Sequence, residues 1–169
     1  MKIYTIGHSD RKKEDFLSLL KAYRISLLVD IRTIPKSRHN PQFNLDTIAK
    51  LLASNDIKYI HMKELGGLRK PKKDSVNKGW RNYSFRGFAD YMQTTEFENA
   101  IQSVIELAKR EKIALMCAEG NPFRCHRSLV SDALITRGVD VEHISSVRHA
   151  TPHRLTPFAK VQDNRIIYT

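Results

Sequence analysis

"IALMCAEGNPFRCHRSLVSDAL", residues 113 to 134, decides the fold. It opens on an uninterrupted apolar run, Ile113 to Met116, as a strand buried on both faces requires. Gly120, Asn121 and Pro122 are turn residues. Beyond them Leu129, Val130, Ala133 and Leu134 recur at helical spacing. The helix predicted near 124–137 stops at Gly138, a residue suited to a helix C-terminus. Strand, polar loop and helix form the repeating unit of an α/β sheet.

The same alternation extends in both directions. Lys2 to Ile6 reads as a strand. Ser9 or Asp10 suits the cap of a helix whose apolar residues are Phe16, Leu19, Leu20 and Tyr23. Ser26 to Ile31 is a second buried strand, and a proline-marked loop (TIPKSRHNPQFN) follows it. Leu45 to Ala53 suits a helix and Ile57 to His61 a third strand. Residues 63–83 lack periodicity and read as one long loop of the kind that is usually functional or mobile. Phe85 to Met92 suits a short helix. Thr94 or Thr95 caps another, whose apolar face is Phe97, Ile101, Val104, Ile105 and Ala108. Lys112 to Cys117 is the fourth strand, Val141 to Ile144 the fifth, and Arg165 to Tyr168 a marginal edge strand. The expectation is one domain, 1–169, with a three-layer α/β fold. Its mostly parallel sheet would have about five strands, with helices on both faces.

In such sheets ligands bind outside the carboxyl ends of the strands. Four segments deliver polar residues there: Gly7-His8-Ser9, Asp30 with Arg32, His61 with Gly66-Gly67, and the loop from Cys117. The last of these carries Glu119, Arg124, Cys125, His126 and Arg127. Cys117 is a candidate nucleophile, since a helix N-terminus and arginines favour a thiolate; a buried core thiol is the plainer reading. Cysteine-dependent phosphatases and rhodaneses arrange strand, cysteine, loop, arginine and helix alike, but the phosphatase spacing is one residue shorter than Cys117 to Arg124. Glu119, His8 and Asp30 are the other catalytic candidates, with Glu119 able to exchange protons or to orient Arg127. Asp30 could pair with Arg127. Gly7, Ser9, Arg32, His61, Gly66, Gly67, Arg124, Cys125, His126 and Arg127 are the substrate-binding candidates. Ligand spacings that mark zinc, and complete GxGxxG or Walker A patterns, are missing, so no metal and no cofactor are expected.

The chain has 169 residues, 41 % of them hydrophobic and 28 % charged, as in a globular protein. The two cysteines form no disulfide framework. The start reads as no signal peptide, and apolar runs are too short to span a membrane. A cytoplasmic protein with reduced thiols and no membrane partner is expected. The net charge of +11 favours anionic partners, either a phosphorylated small molecule or nucleic acid.

"IYTIGHS", "LLVDIRTIPKSR", "YIHMKELGG" and "CAEGNPFRCHRSLVSDAL" resemble the DUF488 family, in the family's order and over residues 3 to 134. The resemblance implies an α/β fold but no reaction. It also implies that Gly7, His8, Ser9, Asp30, Arg32, Pro35, Ser37, Gly66, Gly67, Cys117, Glu119, Cys125, His126 and Arg127 occupy its motif positions. Ile31 stands where valine is common, and Asp10 where asparagine is common.

Two functions compete. One is an enzyme, a hydrolase or transferase, acting on an anionic substrate at this sheet edge. The other is a non-catalytic nucleic-acid-binding protein, whose basic loop 69–81 would work with Trp80 and Tyr83 as stacking surfaces.

Overall fold

A computed structural model describes residues 1–169. In chain order the elements are β1 (Lys2–Gly7), α1 (Lys13–Ala22), β2 (Leu27–Asp30), α2 (Leu45–Ala53), β3 (Lys58–His61), α3 (Tyr83–Tyr91) and α4 (Thr95–Ala108). They continue as β4 (Ile113–Cys117), α5 (Arg127–Ile135), β5 (Asp140–Ser146), β6 (His149–Pro152), β7 (Ala159–Gln162) and β8 (Arg165–Tyr168). The main sheet has the order β3-β2-β4-β1-β5-β6. Its first five strands are mutually parallel, and β6 joins antiparallel to β5.

Helices cover both faces, as the alternation predicts. Leu28, Ala114 and Met116 of the central strands pack with Phe16, Leu19 and Leu20 of α1 and Ile48 and Leu52 of α2. Leu27, Val29, Ile113 and Leu115 face the opposite way, toward Phe88 of α3, Phe97 and Ile101 of α4, and Leu129 and Val130 of α5. Period-two alternation thus fills two cores from strands that read as continuous apolar runs. No helix is long and apolar enough to cross a membrane.

Several boundaries differ from the sequence reading. The sheet has six strands, the sixth being β6 in the basic stretch near His149. Arg165–Tyr168 is no edge of that sheet; it pairs with β7 in a separate hairpin. Ile166 and Tyr168 turn that hairpin's inner side onto the α3–α4–α5 core. Neither Ser9 nor Asp10 caps α1, which begins at Lys13, and Ser9 itself has φ 50°. Thr94 does cap α4, its hydroxyl accepting from the Phe97 N–H at 3.2 Å. The helix read from about 124 begins later, at Arg127. Pro122–Arg124 is a separate 3-10 turn, capped by the Asn121 side chain.

Within the long loop 63–83, Asp90 pins one segment from α3. It accepts from the Lys72 N–H at 2.8 Å, the Ser75 hydroxyl at 2.6 Å and the Asn77 amide at 2.8 Å.

Candidate functional site

The strand order creates a topological switch point between β1 and β4. The chain leaves β1 through α1 on one face of the sheet and leaves β4 through α5 on the other. A crevice therefore opens outside the carboxyl ends of these neighbours. The backbones stay in register beyond the strands, with the His8 N–H donating to the Cys117 carbonyl and the Ser9 N–H to the Ala118 carbonyl, both at 2.9 Å. A Cβ at Gly7 would lie 1.8 Å from the Glu119 carbonyl oxygen, so only glycine admits this crossing of the two loops.

Cys117 ends β4 on the α5 side, buried. Arg127 opens α5 above the same region and is 0 % exposed. Its Nη2 donates to the carbonyls of Glu119 at 3.2 Å and Gly120 at 3.1 Å. Its Nε and Nη1 have no hydrogen-bond partner. Arg127 belongs to none of the molecule's ion pairs. Burial opposes the Cys117 thiolate, but a hydrogen bond from Cys125, the Arg127 charge and a backbone hydrogen bond at Glu119 together hold its pKa below the ordinary thiol value. The Cys125 thiol moves the other way, raised by its bond to Cys117 and by burial. In the geometry the Cys117 thiol donates to the Glu119 carbonyl at 3.4 Å, and the Cys125 sulfur lies beside the His126 ring.

His126 caps nothing and holds the wall together. Its Nε2 donates to the Ile31 carbonyl at 3.0 Å and the Leu65 carbonyl at 2.8 Å. Burial is the main cause that lowers its pKa to about 4. The neutral ring then presents an unprotonated Nδ1 at 3.5 Å from the Cys125 sulfur. Gly67 packs against this ring, where a Cβ would come within 2.5 Å of Nδ1.

His8 and Asp30 lie on the opposite face, with α1 and α2. Asp30 and Arg32 form a buried bidentate pair, Nε to Oδ1 at 2.9 Å and Nη2 to Oδ2 at 2.7 Å. Tyr59 also donates to Asp30. Asp30 therefore does not pair with Arg127; a residue two positions away on its own loop takes it. The Glu119 carboxylate does not orient Arg127 either, because its backbone carbonyl does. His8 stacks on Phe43 at 4.5 Å between ring centroids. Its Nδ1 donates to the Ser9 carbonyl at 2.7 Å, and burial lowers its pKa. The remaining lone pair, on Nε2, faces Arg32 Nη1 at 3.4 Å. His8 and Asp30 thus hold Arg32. His61 does the same from β3, its Nε2 donating to the Arg32 carbonyl at 2.7 Å.

A cavity of about 290 Å³ lies at the crevice. Of the predicted residues, Arg32, Gly67, Cys117, Glu119, Arg124, Cys125 and His126 line it. Arg127, His8, Asp30, His61, Gly7, Ser9 and Gly66 do not line it. They stand behind or beside it. Thr33, Ile34, Lys36, Leu68, Ala118 and Phe85 line it without having been predicted. The signal for the first three was the TIPK segment directly after Arg32, read only as a loop. Phe85 is indistinguishable in sequence from a core aromatic.

The loop 69–81 offers no free indole. Trp80 packs against Phe85, Phe158 and Tyr168 at 4.8–5.4 Å between ring centroids. Tyr83 alone of the two expected stacking rings is exposed. No group of three or more His, Cys, Asp or Glu side chains is arranged to hold a metal ion.

No curated protein and no solved structure matches the chain. A family model described as a domain of unknown function, DUF488, matches residues 12–134. That span begins after the IYTIGHS stretch and carries through β4, the cysteine loop and nearly all of α5. The chain that builds this crevice is a member of the DUF488 family.

Proposed function

We propose that the protein is an enzyme, a hydrolase or transferase that uses the Cys117 thiolate on a phosphorylated substrate bound at the β1–β4 crevice. The observation that carries this reading is Arg127. A fully buried guanidinium with two unpartnered nitrogens and no carboxylate is costly unless an anion accompanies it. Cys117 is the neighbouring group that can supply that anion. In the reaction the Cys117 sulfur attacks the substrate phosphorus as the P–O bond to the leaving group breaks. Water (or an acceptor hydroxyl) then attacks the phosphorus and breaks the S–P bond, releasing the thiolate. Arg124 and Lys36, both on the cavity lining, hold the phosphate charge. Glu119, exposed on the same lining, passes the proton to the leaving group and later takes one from water. Arg32, neutralised by Asp30 and held by His8 and His61, braces the wall opposite.

The test is the pH dependence of Cys117 alkylation by iodoacetamide, read by peptide mass mapping. The expected midpoint lies below about 8.5, the value of a free thiol. Arg127→Met raises it, and Arg127→Lys raises it less. A wild-type midpoint at or above the free value removes the nucleophile.

A further inference from the structure

The cavity has two kinds of wall. Toward its floor are Cys117 and its polar neighbours. At its mouth stand Ile34 and Leu68, which line it while remaining 59 % and 66 % exposed. Large aliphatic side chains held open to water beside a cavity mark a surface that another apolar group covers.

These two are held in place. The Leu68 N–H donates to the Thr33 hydroxyl at 3.0 Å, tying the loop after β2 to the loop after β3. A Cβ at Gly66 would fall 2.4 Å from that same hydroxyl, so the loops touch with no room between them. Phe85 adds an aromatic wall from α3 and is itself braced edge-on by Trp80 at 5.2 Å. Lys36 and Arg124 stand on the same lining, so the apolar wall is flanked by cations.

We propose that the substrate carries its phosphate on an apolar aromatic body, which rests on Ile34, Leu68 and Phe85 while the phosphate reaches Arg124 and Cys117. This rests on the reading of the crevice as an anion-binding, Cys117-dependent site and adds the nature of the group behind the anion. A free inorganic ion would leave the aliphatic wall wet. A sugar phosphate would set hydroxyls against it, with a desolvation cost. The volume, at the small end for ligand sites, suits one ring and one phosphate.

The experiment is protection of Cys117 from iodoacetamide by phenyl phosphate, inorganic phosphate, ribose 5-phosphate and adenosine monophosphate. Phenyl phosphate is expected to half-protect at a concentration at least tenfold below each of the others. That ratio corresponds to about 1.4 kcal/mol. In the Ile34→Ser/Leu68→Ser variant the tenfold advantage over inorganic phosphate disappears. Equal protection by all four probes overturns the aromatic body and leaves the anion site standing, and a tighter adenosine monophosphate overturns the single apolar ring borne directly on the phosphate. An advantage that survives the double substitution also overturns it. Absence of protection by any probe overturns the anion site itself.

Discussion

Gly7 and Cys117 are neighbours across β1 and β4, and each shows how little freedom the site has. A methyl group at position 7 meets a carbonyl at 1.8 Å, and backbone cannot swing aside as a side chain can. Gly7→Ala is expected to cost at least about 1–3 kcal/mol of unfolding free energy in urea, the range of overpacked interiors. It should also change the Cys117 alkylation rate, because the displaced carbonyl is one that receives Arg127. The two cysteines should differ in reactivity, since their pKa values move in opposite directions. At pH 7.5 peptide mapping should show Cys117 alkylated at least tenfold faster than Cys125; the reverse order would contradict the assignment. Asp30 illustrates what could not be read at this scale. Strand ends can be located from sequence, and both Asp30 and Arg127 were placed at the same edge. Which face of the sheet each occupies depends on crossover direction. Arg32, only two residues away, claims the carboxylate before any distant partner can.

α5 is the element on which the polar interior depends. Arg127 through Leu134 are all buried, although a helix buried on every side is ordinarily apolar. Each polar residue beyond Arg127 has a partner. Ser128 donates to the Cys125 carbonyl at 3.0 Å and Ser131 to the Arg127 carbonyl at 2.7 Å. Asp132 receives His153 at 2.8 Å, the Thr156 hydroxyl at 2.7 Å and the Tyr168 hydroxyl at 2.8 Å. His153 in turn meets His143 at 2.8 Å, and His143 meets Thr5 at 2.5 Å. Asp132→Ala strands these donors and should lower stability by about 3–5 kcal/mol, whereas Tyr168→Phe should cost only about 1 kcal/mol in the same urea titration. The apolar positions of α5 were legible from spacing. Its Asp132 contacts were not, because their partners lie 21 to 36 positions later. β6 and β7 escaped notice for a related reason: short and mostly exposed, they carry no apolar run or alternation. β2 and β4, buried at every position, were plain.

Across the whole molecule, buried neutral imidazoles set the response to acid. Burial is the leading cause that holds His126 at about 4 and His143 at about 3, below the ordinary 6.5. Between pH 6.5 and 4 the unfolded chain therefore binds protons that the folded chain refuses. Stability from these two groups is complete above pH 6.5 and falls as the pH drops, at up to about 1.4 kcal/mol per pH unit for each. Urea unfolding from pH 7 to 4.5 should show that decline, and His126→Gln should flatten it; an unchanged slope would mean another group titrates. The three-layer α/β plan and the edge that holds the crevice were readable, since both follow from periodicity and strand direction. The division of that edge into two faces was not. The grip of Asp132 on Thr156 and Tyr168 also has a consequence for synthesis. The helix that carries Arg127 to Cys117 keeps a buried carboxylate short of partners until residue 168 has emerged. A nascent chain on the ribosome would hold every strand of the main sheet, which ends at Pro152, and still leave Asp132 without its Tyr168 donor. The β7–β8 hairpin thus completes, from outside the main sheet, the hydrogen bonding of a helix buried within it.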